Sequence, residues 1–254
     1  MSQCINSGGR RSMLRIDRIP VLEEEMTFGA DLAKTLNVWR ARAGEIVTVV
    51  DREGGCYRAR LTAINEEGGT LVPFHRYSQS VESPVDIEIY QALPEKERFE
   101  LVLQKVTEVG VTRIVPFISE RSTTLEQRES GQKKSHRWPD VVRRAARQCR
   151  RSLIPELYPV CNWDETLYKA QSADLKLILS DRLAPWGLRE ALGGTMPHRV
   201  AVLVGPEGGF SEEEIEDARG LGFLPVSMGP RVFRTETAAI VGVSLLQYAL
   251  GDLG

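Results

Sequence analysis

The chain has 254 residues, enough for one large domain or two smaller ones. Its 33 Lys and Arg nearly balance 35 Asp and Glu, giving a net charge of −2 that excludes a polycation. A hydrophobic content of 42% and a charged content of 27% exclude a disordered chain.

No apolar run reaches the ~20 residues that a bilayer span requires. Residues 1–12 are polar where a secretory signal is apolar. Cys4, Cys56, Cys149 and Cys161 show neither CxxC pairing nor zinc-finger spacing, and the three histidines lie far apart. We therefore expect reduced thiols, a cytoplasmic location, no membrane association and no metal. The charge is uneven. Residues 121–151 hold ten Lys or Arg against three acids. A cationic zone on an otherwise acidic chain suits a polyanionic partner, or else a solvated helix face.

Residues 13–82 read as a small β-barrel or sandwich. Runs at 45–50 and 57–64 are β-branched or alternating, and turn clusters at 52–55 and 65–69 separate them. One helix is expected near 30–39. A boundary falls at 78–84, and from residue 84 to 254 the pattern becomes alternating strand and helix. Strand 85–91 leads to an amphipathic helix at 98–109, with Phe99, Val102, Val106 and Val109 on one stripe and Gly110 as its stop. Strand 111–118 and a polar loop at 127–135 follow. A helix at 138–149 carries Trp138, Val141, Val142, Ala145, Ala146 and Cys149 on one face and Arg143, Arg147 and Arg150 on the other. Next come a short strand at 156–160, a helix at 164–173, a strand at 175–180 and a short helix at 186–192. Strand 200–204 is apolar throughout, as befits a strand buried on both faces of a parallel sheet. Strand 222–228 and a helix at 235–250, capped by Thr235 or Thr237, end the chain. That helix carries Ile240, Val243, Leu246 and Leu250 on one face.

The most informative stretch is Gly205-Pro-Glu-Gly-Gly-Phe-Ser211, between strand 200–204 and a helix whose start has a capping box, Ser211 with Glu214. Its glycines permit positive φ and close approach of a ligand to the backbone. Ligands in parallel α/β sheets bind beyond the carboxyl ends of strands. The stretch is neither GxxxxGK[ST] nor GxGxxG. Glu207 and residues 212–214 would repel a pyrophosphate, so a neutral or cationic nucleoside fits better. A second strand–loop–helix, with Gly229 and Pro230 as its break, can line the same pocket, and Arg231 and Arg234 stand at its rim.

Gly205-Pro-Glu-Gly-Gly-Phe-Ser211 followed by Met228-Gly-Pro-Arg-Val-Phe-Arg-Thr-Glu-Thr-Ala238 resembles the carboxyl-terminal signature of the RsmE family. These are SPOUT-class methyltransferases acting on ring nitrogen 3 of a uridine in small-subunit ribosomal RNA. Residues 98–121 and 137–155 are similar to two further family segments, so the resemblance spans about residues 13–250. It implies an α/β fold. A SPOUT-type parallel sheet, with helices on both faces and a deep trefoil knot, follows a small PUA-like β-barrel that binds RNA. It further implies a homodimer whose last helix buries its apolar stripe at the interface. S-adenosylmethionine would sit against three loops: Leu179 and Ser180; Leu203, Gly205, Pro206, Glu207, Gly208 and Gly209; and Met228, Gly229, Val232, Phe233 and Ala238. The chain departs from the usual family pattern at Ala33-Lys34 and at Val38-Trp39-Arg40. The swaps at Arg144 and Arg147 add positive charge.

Uridine nitrogen 3 carries a proton at neutral pH, so methylation needs its loss or stabilisation of the anion. Arg234, Arg231 and Arg121 are candidates to hold charge on the uracil oxygens. Glu236 is a candidate base, or merely a favourable charge in the first turn of a helix. Arg143, Arg147, Arg150, Lys133 and Lys134, with Arg15 and Arg40, would hold phosphates of ribosomal RNA or of the assembled small subunit. Three alternatives stand beside this reading. They are a related enzyme with another RNA target, a non-catalytic RNA-binding protein, and a nicotinamide-dependent oxidoreductase, the last disfavoured by the missing GxGxxG.

Overall fold

A computed structural model describes residues 3–94, 96–122, 135–180, 184–194 and 196–254. The chain forms two compact units. One comprises the described residues of 83–141 and 157–254 with residue 3, and the other residues 4–82 with 142–156.

The second unit holds a four-stranded antiparallel sheet in the order β1-β4-β3-β2, formed by β1 (Met26–Gly29), β2 (Ile46–Val50), β3 (Cys56–Ile64) and β4 (Gly68–Arg76). Helix α1 (Ala30–Val38) follows β1 directly. Asp51 makes the β2–β3 turn. Its carboxylate accepts from the backbone N–H groups of Glu53 and Gly55, each at 2.8 Å, and Gly54 takes a φ of +87°. Leu14, Leu36, Trp39, Tyr57, Leu61 and Leu71 fill the interior. The indole of Trp39 donates to Ser12 O at 2.6 Å. Trp39, a departure from the family pattern, is thus a core residue.

Periodicity gave no sign that residues 142–156 group with this unit. Polar contacts explain it. The Ser12 hydroxyl accepts from Ile154 N, and the Glu82 carboxylate accepts from Ser152 N, Leu153 N and the Arg151 guanidinium. None of these pairings has a local sequence signature.

The first unit is a seven-stranded sheet in the order β7-β6-β5-β10-β8-β11-β9. Its strands are β5 (Asp86–Ala92), β6 (Arg113–Phe117), β7 (Glu156–Leu157, of which Glu156 falls in the other unit), β8 (Leu175–Leu179), β9 (Trp186–Gly187), β10 (Arg199–Val204) and β11 (Leu224–Ser227). The registered pairs are parallel. Its helices are α2 (Lys96–Glu108), α4 (Trp163–Ala170), α5 (Leu188–Leu192), α6 (Glu212–Gly220) and α7 (Thr235–Leu250), while α3 (Trp138–Gln148) contributes residues to both units. This is the α/β fold with a parallel sheet that the alternating pattern predicts.

Alternation along the buried strands sorts the two faces of the sheet. Tyr90, Ala92, Val115, Phe117, Ile178, Ala201 and Leu203 pack with Leu167 and Ala170 of α4 and Ile215 and Ala218 of α6. Gln91, on the opposite side of β5, reaches α7 by a hydrogen bond to Thr235. Predicted and observed elements agree in order, with local differences. The helix expected at 186–192 begins only at Leu188, because Trp186 and Gly187 pair with Val226 and Ser227 as an edge strand. The expected loop at 127–135 lies almost wholly outside the described residues.

Candidate functional site

Three adjacent strands, β10, β8 and β11, present their carboxyl ends side by side. The loops that leave them line a cavity of about 250 Å³. Leu179 and Ser180 come from β8. Val204 and the backbone of residues 205–210 come from β10. Val226, Ser227, Met228 and Gly229 come from β11, and Arg231, Val232, Phe233, Thr235 and Ala238 continue into α7. Arg121, Glu212 and Ile215 complete the wall. A strand end cannot hydrogen-bond onward into the sheet, so its backbone groups are available to a ligand.

Local chemistry holds the glycine loop. A Cβ on Gly205 would stand 3.2 Å from the ring of Phe210, and one on Gly208 would stand 3.2 Å from the side chain of Arg121. Gly209 takes a φ of +68°, and its N–H donates to Pro206 O at 3.0 Å. The capping box forms as expected. The Ser211 hydroxyl accepts from Glu214 N, and the Glu214 carboxylate accepts from Ser211 N. Its other oxygen accepts from Glu120 N at 2.9 Å, which ties β6's exit to the start of α6. Gly242 lets α7 close on the loops, for a Cβ there would lie 2.9 Å from Leu179 Cδ1 and 3.5 Å from Met228 Sδ.

Of the residues expected to hold the cofactor, Leu179, Ser180, Gly205, Pro206, Glu207, Gly208, Gly209, Met228, Gly229, Val232, Phe233 and Ala238 line this cavity. Leu203 does not. It is fully buried in the core on the α4 and α6 side of the sheet. The Glu207 carboxylate is not isolated either, since Arg98 of α2 donates to it at 3.0 Å. Sequence reasoning passed over Val204, Phe210, Glu212, Ile215, Val226, Ser227 and Thr235 as wall residues. Those flanking the glycines were accessible from adjacency, whereas Ile215 reaches the wall only through the position of α6.

The candidate catalytic residues divide. Arg231 and Arg121 border the cavity, whereas Arg234 and Glu236 are absent from its wall. The Arg121 guanidinium donates to Gly208 O at 3.0 Å and Phe210 O at 3.4 Å. Arg234 is the exposed amino-terminal cap position of α7. Glu236 has one buried carboxylate oxygen, Oε2, with no hydrogen-bond partner among the described residues. Thr235 is not the helix cap that the sequence suggests. Its hydroxyl instead donates to Gly205 O at 2.6 Å.

The described candidates for RNA contact all lie in the unit of residues 4–82 and 142–156. Arg15, Arg40 and Arg150 are exposed, Arg40 and Arg150 with left-handed φ values of +49° and +66°. Arg143 donates to Trp39 O at 3.2 Å, and Arg147 pairs with Glu45 at 2.6 Å. Lys133 and Lys134 lie outside the described residues. Among the described residues there is no cluster of metal-ligating side chains, and no helix is long and apolar enough to cross a membrane.

The cavity fits S-adenosylmethionine chemically. Glycine backbone and apolar side chains suit a nucleoside, and the carboxylates of Glu207 and Glu212 in the wall disfavour a phosphate. Relatives carry that cofactor. A ribosomal RNA small subunit methyltransferase E from Neisseria gonorrhoeae, solved bound to S-adenosylmethionine, is 31% identical with a TM-score of 0.69, over 95% of this chain and 98% of that one. A Legionella pneumophila protein solved with the same cofactor is 35% identical with a TM-score of 0.66, over 95% and 99% of the two chains. The ribosomal RNA small subunit methyltransferase E of a Synechocystis strain is 30% identical over 233 residues, 91% of this chain and 75% of the relative. Residues 81–247 match the RNA methyltransferase domain family, and with these relatives the match shows that the chain belongs to the ribosomal RNA small subunit methyltransferase E family.

Proposed function

We propose that the chain methylates ring nitrogen 3 of a uridine in small-subunit ribosomal RNA, with S-adenosylmethionine as donor. The observation that carries this is the cavity at the ends of β8, β10 and β11, whose glycine loop and apolar walls match a nucleoside cofactor. Family membership supports the substrate. When bound, the cofactor supplies an electrophilic methyl group on a sulfonium.

The chain's own residues do the rest. Gly205, Gly208 and Gly209 offer backbone without side chains, and Leu179, Met228, Phe233 and Ala238 exclude water. Arg231 at the rim holds charge on a uracil oxygen as the nitrogen-3 proton is lost. Arg234 guides the approaching strand. Positioning supplies much of the acceleration, because methyl transfer demands an in-line nucleophile.

The four-stranded unit serves as a PUA-like RNA-binding barrel. Exposed Arg15, Arg40 and Arg150, with Lys133 and Lys134, grip phosphates and set register rather than read bases. Arg143 and Arg147 brace that surface through Trp39 and Glu45. In the other unit the chain threads a deep trefoil knot around the cofactor loops. The enzyme acts in the cytoplasm as a homodimer joined through α7.

The test is direct. Purified protein is mixed with radiolabelled S-adenosylmethionine and small ribosomal subunits from a strain lacking its own uridine N3-methylating enzyme. Label is expected in 3-methyluridine. Label in another nucleoside, or none with cofactor still bound, reassigns the target. Neither label nor cofactor binding rejects the enzyme and leaves an RNA-binding protein.

A further inference from the structure

The peptide between Gly205 and Pro206 opens the glycine loop, and proline leaves it without an N–H. Only the Gly205 carbonyl can therefore fix the orientation of that peptide plane. The structure shows what holds it. The Thr235 hydroxyl, at the first residue of α7, donates to Gly205 O at 2.6 Å. The Thr235 hydroxyl oxygen itself accepts from Gln91 Nε2 at 3.0 Å. Gln91 Nε2 is itself aimed by a second hydrogen bond, to Ala92 O at 2.9 Å. Gln91 is fully buried, Thr235 is 4% exposed, and Gln91 is in register with Val204, the residue before the loop.

A hydroxyl has one proton and can donate it once. With Gln91 Nε2 supplying a donor to the oxygen, the Thr235 proton is directed to Gly205. The order Gln91 to Thr235 to Gly205 is therefore fixed in direction, and it joins β5, α7 and the loop after β10, with the Gln91–Thr235 bond buried and the Thr235–Gly205 bond part-buried at the cavity wall. Gly205 and Thr235 both line the cavity. We infer that Thr235, oriented by Gln91, is a positioning residue that presets the Gly205–Pro206 peptide for S-adenosylmethionine, an inference that rests on the cofactor reading above.

The experiment is calorimetric titration of the full chain with S-adenosylmethionine, well below its melting temperature. Thr235→Val keeps the shape and removes the donor. It should raise Kd about five- to tenfold, in line with the loss of one part-buried hydrogen bond. Thr235→Ser restores the donor and should stay within about twofold of the parent. Gln91→Leu leaves the hydroxyl but frees its direction, and should weaken binding about two- to threefold. In turnover, KM for the cofactor should rise in Thr235→Val while kcat holds. A purely structural threonine would lower the melting temperature and leave Kd unchanged, which overturns the inference. Equal weakening by valine and serine overturns it too, because packing would then be the cause. If Thr235→Val does not fold, an unchanged Kd in Gln91→Leu is the overturning result. Failure of the parent chain to bind the cofactor rejects the cofactor reading itself.

Discussion

Two arginines at the cavity differ in their partners, and we predict different roles from that. Arg121 donates from Nη1 to Gly208 O and Phe210 O, two carbonyls of the glycine loop. Arg231 is exposed at the rim. Removing Arg121 leaves the loop without that grip, at a cost near 1 kcal/mol for exposed bonds of this kind. Arg121→Ala should therefore raise KM for S-adenosylmethionine about fivefold and leave kcat within about twofold. Arg231→Ala should do the reverse, lowering kcat about tenfold or more with cofactor binding intact. Steady-state kinetics with each substrate varied in turn separate the two. A fall in kcat for Arg121→Ala would return it to the catalytic set. The sequence could place both arginines near the glycines. It could not show that Arg121 points at carbonyls, because Gly208 and Phe210 are about ninety residues away along the chain. Thr235 misled for the opposite reason. A threonine at a helix start has a ready local role as a cap, and only the approach of β10 supplies the longer-range one.

Among the elements, the parallel sheet was legible because its strands are short apolar runs between amphipathic helices. The small differences arise where an element depends on its neighbour. Trp186 and Gly187 become a strand because β11 offers them a free edge. Strand β5 also carries an unexpected buried charge. Glu88 is 2% exposed, with Arg113 of β6 at 2.8 Å, Arg199 of β10 at 3.4 Å and the Tyr90 hydroxyl donating at 2.8 Å. Burial pushes its carboxyl above the usual range, and the pull of Arg113 offsets this only in part. The folded state thus holds the Glu88 proton to higher pH than the unfolded chain does. The stability tied to that proton is present below the ordinary value of 4.5 and is lost as pH rises through the raised value. Glu88→Gln keeps a hydrogen-bond acceptor and removes the titration. Arg113 and Arg199 are 24% and 37% exposed, so solvent reaches both. The melting temperature of Glu88→Gln minus that of the parent should therefore climb from pH 4 upward and then level off. A difference independent of pH would show that Glu88 does not titrate in this window.

On the scale of the whole molecule, α7 is the helix through which the proposed homodimer is joined. The sequence stripe of Ile240, Val243, Leu246 and Leu250 is the one expected at a dimer interface, and the structure corrects this for three of the four, Ile240 being half-buried. Val243, Leu246 and Leu250 are at most 7% exposed within the chain itself, against β5, β10 and α2. Periodicity could not make the distinction, because α7 is apolar around most of its circumference. The stripe left outward is Val241, Leu245 and Tyr248, spaced four and three residues apart, with Leu245 39% and Tyr248 70% exposed. Under the proposed homodimer these residues meet their own copies across a two-fold axis, so one substitution acts twice. Leu245→Glu with Tyr248→Glu puts four carboxylates into the interface, each disfavoured by desolvation and by its neighbours. Sedimentation should show a dimer for the parent and a monomer for this variant at the same micromolar concentration. The buried stripe is untouched, so the far-ultraviolet circular dichroism should match the parent. A variant that stays dimeric would remove α7's outer stripe from the interface, and a parent that sediments as a monomer would remove the homodimer.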